Sequence, residues 1–181
     1  MNALIFIVKT LFELYLYTFI LRFALQWVRA DFNNPLSQAV VRITNPLVRP
    51  LRRVIPGWAG LDMATLVVVI VLELIGTAAL LALLAGGAPD PVTLITVSAM
   101  RLAVHVIRLF FFAILIHVIL SWVSAGGYNP VAAVVHQLCE PLLRPVRRIV
   151  PPIGGLDLSA LFVLIGLQAL QMLIPISYPL V

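Results

Sequence analysis

Four apolar runs constrain this chain more than any other feature. They stretch from about Leu4 to Val28, Met63 to Ala85, Leu94 to Val123 and Leu158 to Ile174. A helix needs about 20 predominantly apolar residues to cross a bilayer, so the first three runs are long enough. The fourth, 17 residues ahead of Pro175, sits at the lower limit. The third is long enough to tilt or to protrude. Hydrophobic residues make up 62% of the 181 and charged residues 10%, against roughly 45–50% and about 25% in soluble domains. That excess excludes a disordered chain and predicts an all-α membrane protein of four transmembrane helices. The first run has no basic lead-in and no small-residue cleavage site after it, so it reads as a span and not as a signal peptide.

A duplication organises the spans. Shifting the sequence by 95 residues places Trp27 on Trp122, Asn34-Pro35 on Asn129-Pro130, Arg52-Arg53 on Arg147-Arg148 and Gly60-Leu61-Asp62 on Gly155-Leu156-Asp157. Over the 40 positions from Trp27 to Leu66, 17 are identical, which marks an internal repeat. The expected units are residues 1–88 and 89–181, each span–linker–span, with linkers at 29–62 and 124–157. Two spans per unit make the repeats parallel, related by a pseudo-two-fold axis along the membrane normal.

Charge sets the orientation. Residues 29–62 carry five Arg and two Asp; residues 124–157 carry three Arg, one Glu and one Asp. Together they supply +4 of the net +5, while the short turn between the repeats, GGAPDPV, holds only Asp90. The positive-inside rule then places both linkers in the cytoplasm of a bacterial inner membrane, with the termini on the far side. Lys9 and Arg101, near that far side, weigh slightly against it. The basic balance needs no nucleic acid to explain it.

Each linker has the same grammar: Asn-Pro, about ten residues, then P-L-x-R-P-x-R-R-x-x-P and a turn ending in Gly-Leu-Asp. Asn34 and Asn129 are expected helix N-caps, with Pro at the first helical position. Asn45-Pro46 and Glu140-Pro141 are expected to restart a second short helix after a kink. In it Arg49, Arg52 and Arg53, and likewise Arg144, Arg147 and Arg148, fall at i, i+3 and i+4 on one face. Leu47, Leu51, Val54 and Ile55 take the other side, as do Leu142, Val146, Ile149 and Val150. Such a segment is expected to lie in the interface, apolar side down, guanidinium groups among phosphates. Asp62 and Asp157 would cap the following spans at the positive end of the helix dipole. Two readings of the arginines stand: topology signals only, or a site for anionic lipid headgroups or a partner's acidic surface.

The paired Trp…Asn-Pro…PLxRPxRRxxP…GLD pattern closely resembles the YggT family of small bacterial membrane proteins with chloroplast relatives. The likeness covers nearly the whole chain. The first copy departs at Asn45, where the family usually has Glu as at Glu140, and at Met63-Ala64, against Leu158-Ser159. The resemblance implies a membrane factor in envelope, division, osmotic or ion-homeostasis contexts, or in complex assembly, and it transfers no reaction.

Ionisable groups within spans are the second informative class, because they are costly in lipid. The spans hold Glu13, Arg22, Glu73, His105, Arg108 and His117. Glu13 and Arg108 each lie 16 residues before their linker, roughly 24 Å up at about 1.5 Å per residue, and are expected to pair across the pseudo-axis. Glu73, about 16 Å deep, and Arg22, about 10 Å deep, are the second expected pair, with His117 nearby. These pairs either hold the spans together or line a polar path for ions.

Other chemistry is thin. The three histidines show no ligand spacing, and one cysteine, Cys139, permits no internal disulfide or cysteine cage, so neither a metal nor a cofactor is expected. Ser121 and His117 stand one turn apart without a third orienting group, so no catalytic residue and no enzyme are expected. Trp27 and Trp122 read as interfacial belts. The expected function is a non-enzymatic scaffold or assembly factor holding lipid or other membrane proteins, with a homo-oligomer open. The alternative is a small ion pathway in osmotic balance.

Overall fold

A computed structural model describes residues 3–58, 60–123, 129–150 and 157–176. Among these the chain forms six helices and no strand: α1 (Ala3–Trp27), α2 (Pro35–Arg52), α3 (Met63–Ala85), α4 (Pro91–Val123), α5 (Pro130–Arg147) and α6 (Leu158–Met172). The expected Pro151 and Gly155-Leu156 motif positions lie outside the described residues, as do 124–128.

Helices α1, α3 and α4 are long and apolar enough to cross a membrane. At about 1.5 Å per residue they measure roughly 37, 35 and 50 Å, against a hydrocarbon core of about 30 Å. Helix α6 is apolar but has 15 residues, about 22 Å, so the expected fourth span is short of full length over its described helix. Leucines, isoleucines and phenylalanines of all four helices remain on the outside, among them Leu11, Ile75, Phe112 and Phe162, each more than half exposed. So continuous an apolar exterior is what a lipid-facing surface requires.

Helix direction follows from contacts. Glu13 meets Arg101, Tyr17 meets His105 and Trp27 meets Phe110, so residue numbers rise together and α1 and α4 are parallel. The C-terminal ends of α1 and α4 therefore lie at one end of the bundle, beside α2 and α5, which also touch each other. Two cores result. Leu16, Phe19 and Ile20 of α1 pack with Val48 of α2 and Ala64, Val68 and Val69 of α3. Ile107, Phe110 and Ile114 of α4 pack with Leu138, Cys139 and Leu143 of α5 and Ala160, Val163 and Leu167 of α6. Leu25, Ala30 and Val134 join the halves.

The linkers differ from expectation in two respects. First, α2 and α5 are each a single 18-residue helix, with Pro46 and Pro50, and Pro141 and Pro145, inside them. No second helix restarts at Asn45-Pro46 or Glu140-Pro141. A proline ring costs one backbone hydrogen bond, and at exposed positions such as 46 and 50 the freed carbonyls are not enclosed by the core. Second, the apolar side turns inward. The buried stripe of α2 is Ser37, Val40, Thr44 and Val48, with Leu51 and Ile55 packed behind it. Leu47 and Val54, expected on that side, are 40% and 80% exposed. Three faces of protein compete for α2, from α1, α3 and α5, and they set its rotation.

Because Pro46 sits in an unbroken helix, Pro46→Ala restores a donor to the Arg42 carbonyl. Stability in detergent is expected to stay level or rise by about 1 kcal/mol. A loss of more than about 1 kcal/mol in thermal unfolding would show that the ring shapes a necessary bend.

Candidate functional site

The charges inside the bundle collect into two groups. The inner group lies halfway along the helices. Glu73 (α3), Arg101 and His105 (α4) are 2–3% exposed, and Glu13 (α1) closes the group. Arg101 Nε donates to Glu73 Oε1 at 2.9 Å and Nη2 to Glu13 Oε1 at 3.1 Å. Thr77 Oγ1 donates to Glu73 Oε1 at 2.9 Å, and Lys9 approaches Glu13 at 3.8 Å. His105 Nδ1 stands 3.1 Å from Glu73 Oε2, although neither atom has a well-aligned hydrogen-bond partner. One guanidinium thus bridges carboxylates on two other helices.

Neither expected intramembrane pair forms. Glu13 pairs with Arg101 and not with Arg108, whose charge lies near Tyr17, one turn along α1. Glu73 pairs with Arg101 and His105 and not with Arg22. Counting residues locates a side chain along a helix axis but carries neither its azimuth nor the helix tilt. His117 is likewise far from Glu73. It stacks on His136 of α5 with ring centroids 5.4 Å apart.

The outer group sits where α1 and α2 meet the start of α3. Arg22, 3% exposed, donates through Nη1 to Thr44 Oγ1 at 2.6 Å and to Asn45 Oδ1 at 3.1 Å. Its Nε lies 3.8 Å from Asp62 Oδ2. Arg52 Nε donates to the same carboxylate at 3.0 Å, with Nη2 also on it. Asp62 caps α3, accepting from the Thr65 amide at 3.4 Å and its hydroxyl at 2.5 Å. Asp157 caps α6 through the Ser159 amide at 3.0 Å and accepts from Arg147 Nε at 2.8 Å. Arg147 also reaches Glu140 at 2.9 Å. Burial opposes ionisation of both aspartates, but the arginine and hydroxyl hydrogen bonds outweigh it and hold both below the usual carboxylate range.

The arginine triads therefore divide. Arg52 and Arg147 turn onto the cap aspartates, while Arg49, Arg53, Arg144 and Arg148 stay exposed. Asn34 caps α2, accepting from the Leu36 amide at 2.9 Å, and donates across to the Pro130 carbonyl at 2.7 Å. Asn129 caps α5 through the Val131 amide at 2.9 Å. Missed in the sequence were Arg101 as the hub, the Thr44 and Asn45 contacts of Arg22, and the Arg–Asp links. The last had a signal: Arg52 and Asp62, like Arg147 and Asp157, stand ten residues apart in both linkers.

Two cavities reach these groups. One of about 530 Å³ opens at Arg22, Arg42, Asn45 and Arg52. Another of about 260 Å³ runs between α1 and α3 to Lys9, Glu13 and Arg101. They share no residue, and between them Leu16 and Phe19 are at most 1% exposed. Among the described residues no group of three His, Cys, Asp or Glu side chains is placed to hold a metal.

Long apolar helices tied together by buried ion pairs define a helical membrane protein. The CCB3/YggT family pattern matches residues 1–83 and again residues 97–178, and the chain belongs to that family. It is 47% identical over 174 residues to an uncharacterized protein of Pseudomonas aeruginosa, covering 96% of this chain and 88% of the relative. It is 43% identical to an uncharacterized protein in the proC 3′ region of Vibrio alginolyticus, over 93% and 91% of the two chains. To the uncharacterized protein YggT of Escherichia coli K12 it is 38% identical, over 95% and 89%. No solved structure matches the chain.

Two predictions follow the charges. Arg101→Met strands the buried Glu73, while Glu13 keeps Lys9, and is expected to cost about 3–5 kcal/mol in detergent unfolding, with most of it regained in Arg101→Met/Glu73→Met. Equal instability in single and double variants would show that Arg101 acts through something other than Glu73. Asp62 and Asp157 have folded pKa values below their unfolded ones, so the stability they add is complete above about pH 4 and lost as pH falls through the folded values. Asp62→Asn/Asp157→Asn should therefore show a lower melting temperature at pH 7 and a shallower drop towards pH 3. An unchanged acid profile would refute the linkage.

Proposed function

We propose that this protein is a non-enzymatic scaffold or assembly factor of the bacterial inner membrane, holding anionic lipid or partner proteins at its basic end. In this reading residues 1–88 and 89–181 are tandem parallel repeats with four spans, α6 being the shortest. Both linkers face the cytoplasm and the termini lie opposite. The double match to the family pattern, the two cores and the parallel run of α1 and α4 support the duplication. The arginine-rich linkers support the orientation.

The observation that carries the scaffold reading is the division of the triads. Arg52 and Arg147 are engaged by carboxylates, while Arg49, Arg53, Arg144 and Arg148 are exposed at the ends of α2 and α5. Four free guanidinium groups at a headgroup level suit phosphate and carboxylate partners, because each offers a planar fork of donors. A second reading, an ion pathway, draws on the cavity that reaches Lys9 and Glu13. Against it stand the packed Leu16 and Phe19 and the engagement of Glu73 by Arg101 and Thr77.

Replacing Arg49, Arg53, Arg144 and Arg148 by Gln is expected to cut phosphatidylglycerol retained on the purified protein several-fold by native mass spectrometry, with melting little changed. Undiminished retention would sink the anionic-lipid role. Proteoliposomes are expected to pass K⁺ and H⁺ no faster than empty vesicles. Flux above that background, abolished by Glu73→Gln, would establish the pathway instead.

A further inference from the structure

We propose that the cleft between α1 and α2 is a binding site for one phosphate group, and that the cavity beside Arg147 in the second half is not. This deepens the reading of a lipid-holding basic face by assigning a pocket to an anion.

The first cleft is built for negative charge. Arg22, Arg42 and Arg52 line it together with Asn45, Gln26 and Gln38, around a space of about 530 Å³, within the range of small-molecule sites. Three guanidinium groups face one carboxylate, Asp62, which touches Arg22 and Arg52. Two positive charges are left over. Arg22 is 3% exposed, and Thr44, Asn45 and Asp62 fix its guanidinium. Arg42 makes no hydrogen bond or ion pair among the described residues. A fixed cation, a free one and neutral amides around a cleft match a tetrahedral oxyanion, which accepts forked donation from guanidinium groups.

In the second half the cavity of about 460 Å³ that reaches Arg147 and Asp157 lies between α4 and α6, with His117, Ser121 and Leu161 in its lining. Positions 95 residues on from Arg22, Arg42 and Asn45 are His117, Gln137 and Glu140. Arg147 there is claimed by Glu140 at 2.9 Å and Asp157 at 2.7 Å, so two carboxylates already surround its one guanidinium. Two arginines are replaced and a carboxylate is added, so no positive charge is left for a ligand.

The phosphate belongs either to a phospholipid headgroup or to a free anion, and the test separates them. Full-length protein in phosphatidylcholine nanodiscs is titrated with inorganic phosphate by calorimetry. In parallel, phosphatidylglycerol retained from mixed micelles is counted by native mass spectrometry. Arg42→Gln, which alters an exposed residue and copies Gln137 of the second half, is expected to weaken one of the two by about tenfold or more. Arg29→Gln, which removes the same charge from the same end outside the cleft, is expected to change it by less than about twofold. The arm that responds identifies the source. Equal losses in both variants would overturn the pocket and leave a diffuse basic face. Unchanged binding in Arg42→Gln, with loss only in the quadruple rim variant, would overturn the pocket and leave the rim reading standing. If no variant lowers binding in either arm, both fall.

Discussion

Two carboxylates halfway along an apolar bundle must be neutralised from within, and Arg101 bridges both, with Lys9 beside Glu13. An uncompensated charge in a low-dielectric interior costs several kcal/mol, so the position of Arg101 between Glu13 and Glu73 limits how α1, α3 and α4 can rotate. A shift of α4 by one turn, about 5.4 Å, would part Arg101 from both partners. Dispersion contacts are forgiving among leucines and valines, because one aliphatic surface packs on lipid or protein about equally well. The ion pairs supply the specificity that the apolar faces lack, and Tyr17 against His105 and Trp27 against Phe110 follow in the same parallel register.

At the other end the same economy recurs with caps. Asp62 caps the first amides of α3 and also receives Arg52 from α2, so one carboxylate starts an apolar helix and fastens the linker helix to it. Asp157 does the same for α6 and Arg147. A helix interrupted by two prolines is weak on propensity alone. Here it is pinned at its start by Asn34, at its middle by the burial of Thr44 and Val48, and at its end by Arg52.

The helices were legible in the sequence because their signals are local. Apolar length marks the spans, Asn-Pro marks the linker starts, and Asp before an apolar run marks the caps. The pairings were not, because they depend on azimuth and tilt. Glu13 and Arg108 share a calculated depth, yet Glu13 pairs with Arg101 instead. Arg101, read as a far-side charge, lies ten residues inside a 33-residue helix and is fully enclosed. The prolines misled in the other direction: their usual effect is a break, but packing from three neighbours holds α2 continuous. Within the linkers, the Arg–Asp spacing of ten is visible in both copies, while the choice of which arginine pairs with the cap depends on the rotation that α1 and α3 impose.

The placement of Arg22 bears on why the basic end is basic at all. Charges in exposed loops orient a chain as it inserts, and in the proposed orientation Arg49, Arg53, Arg144 and Arg148 supply them. Arg22 lies inside the last turns of α1 at 3% exposure, where desolvating a guanidinium is costly and an apolar residue would insert more readily. Its hydrogen bonds to Thr44 and Asn45 compensate part of that cost but do not require a cation, since a neutral donor could satisfy both. Asp62 does not require it either, because Arg52 already holds that carboxylate. At position 117, 95 residues on, a histidine stacks on His136 instead, and Cys139 and Glu140 stand where Thr44 and Asn45 do. Arg22 is thus the buried charge that the phosphate site proposed for the cleft lined by Arg22, Arg42 and Arg52 would account for.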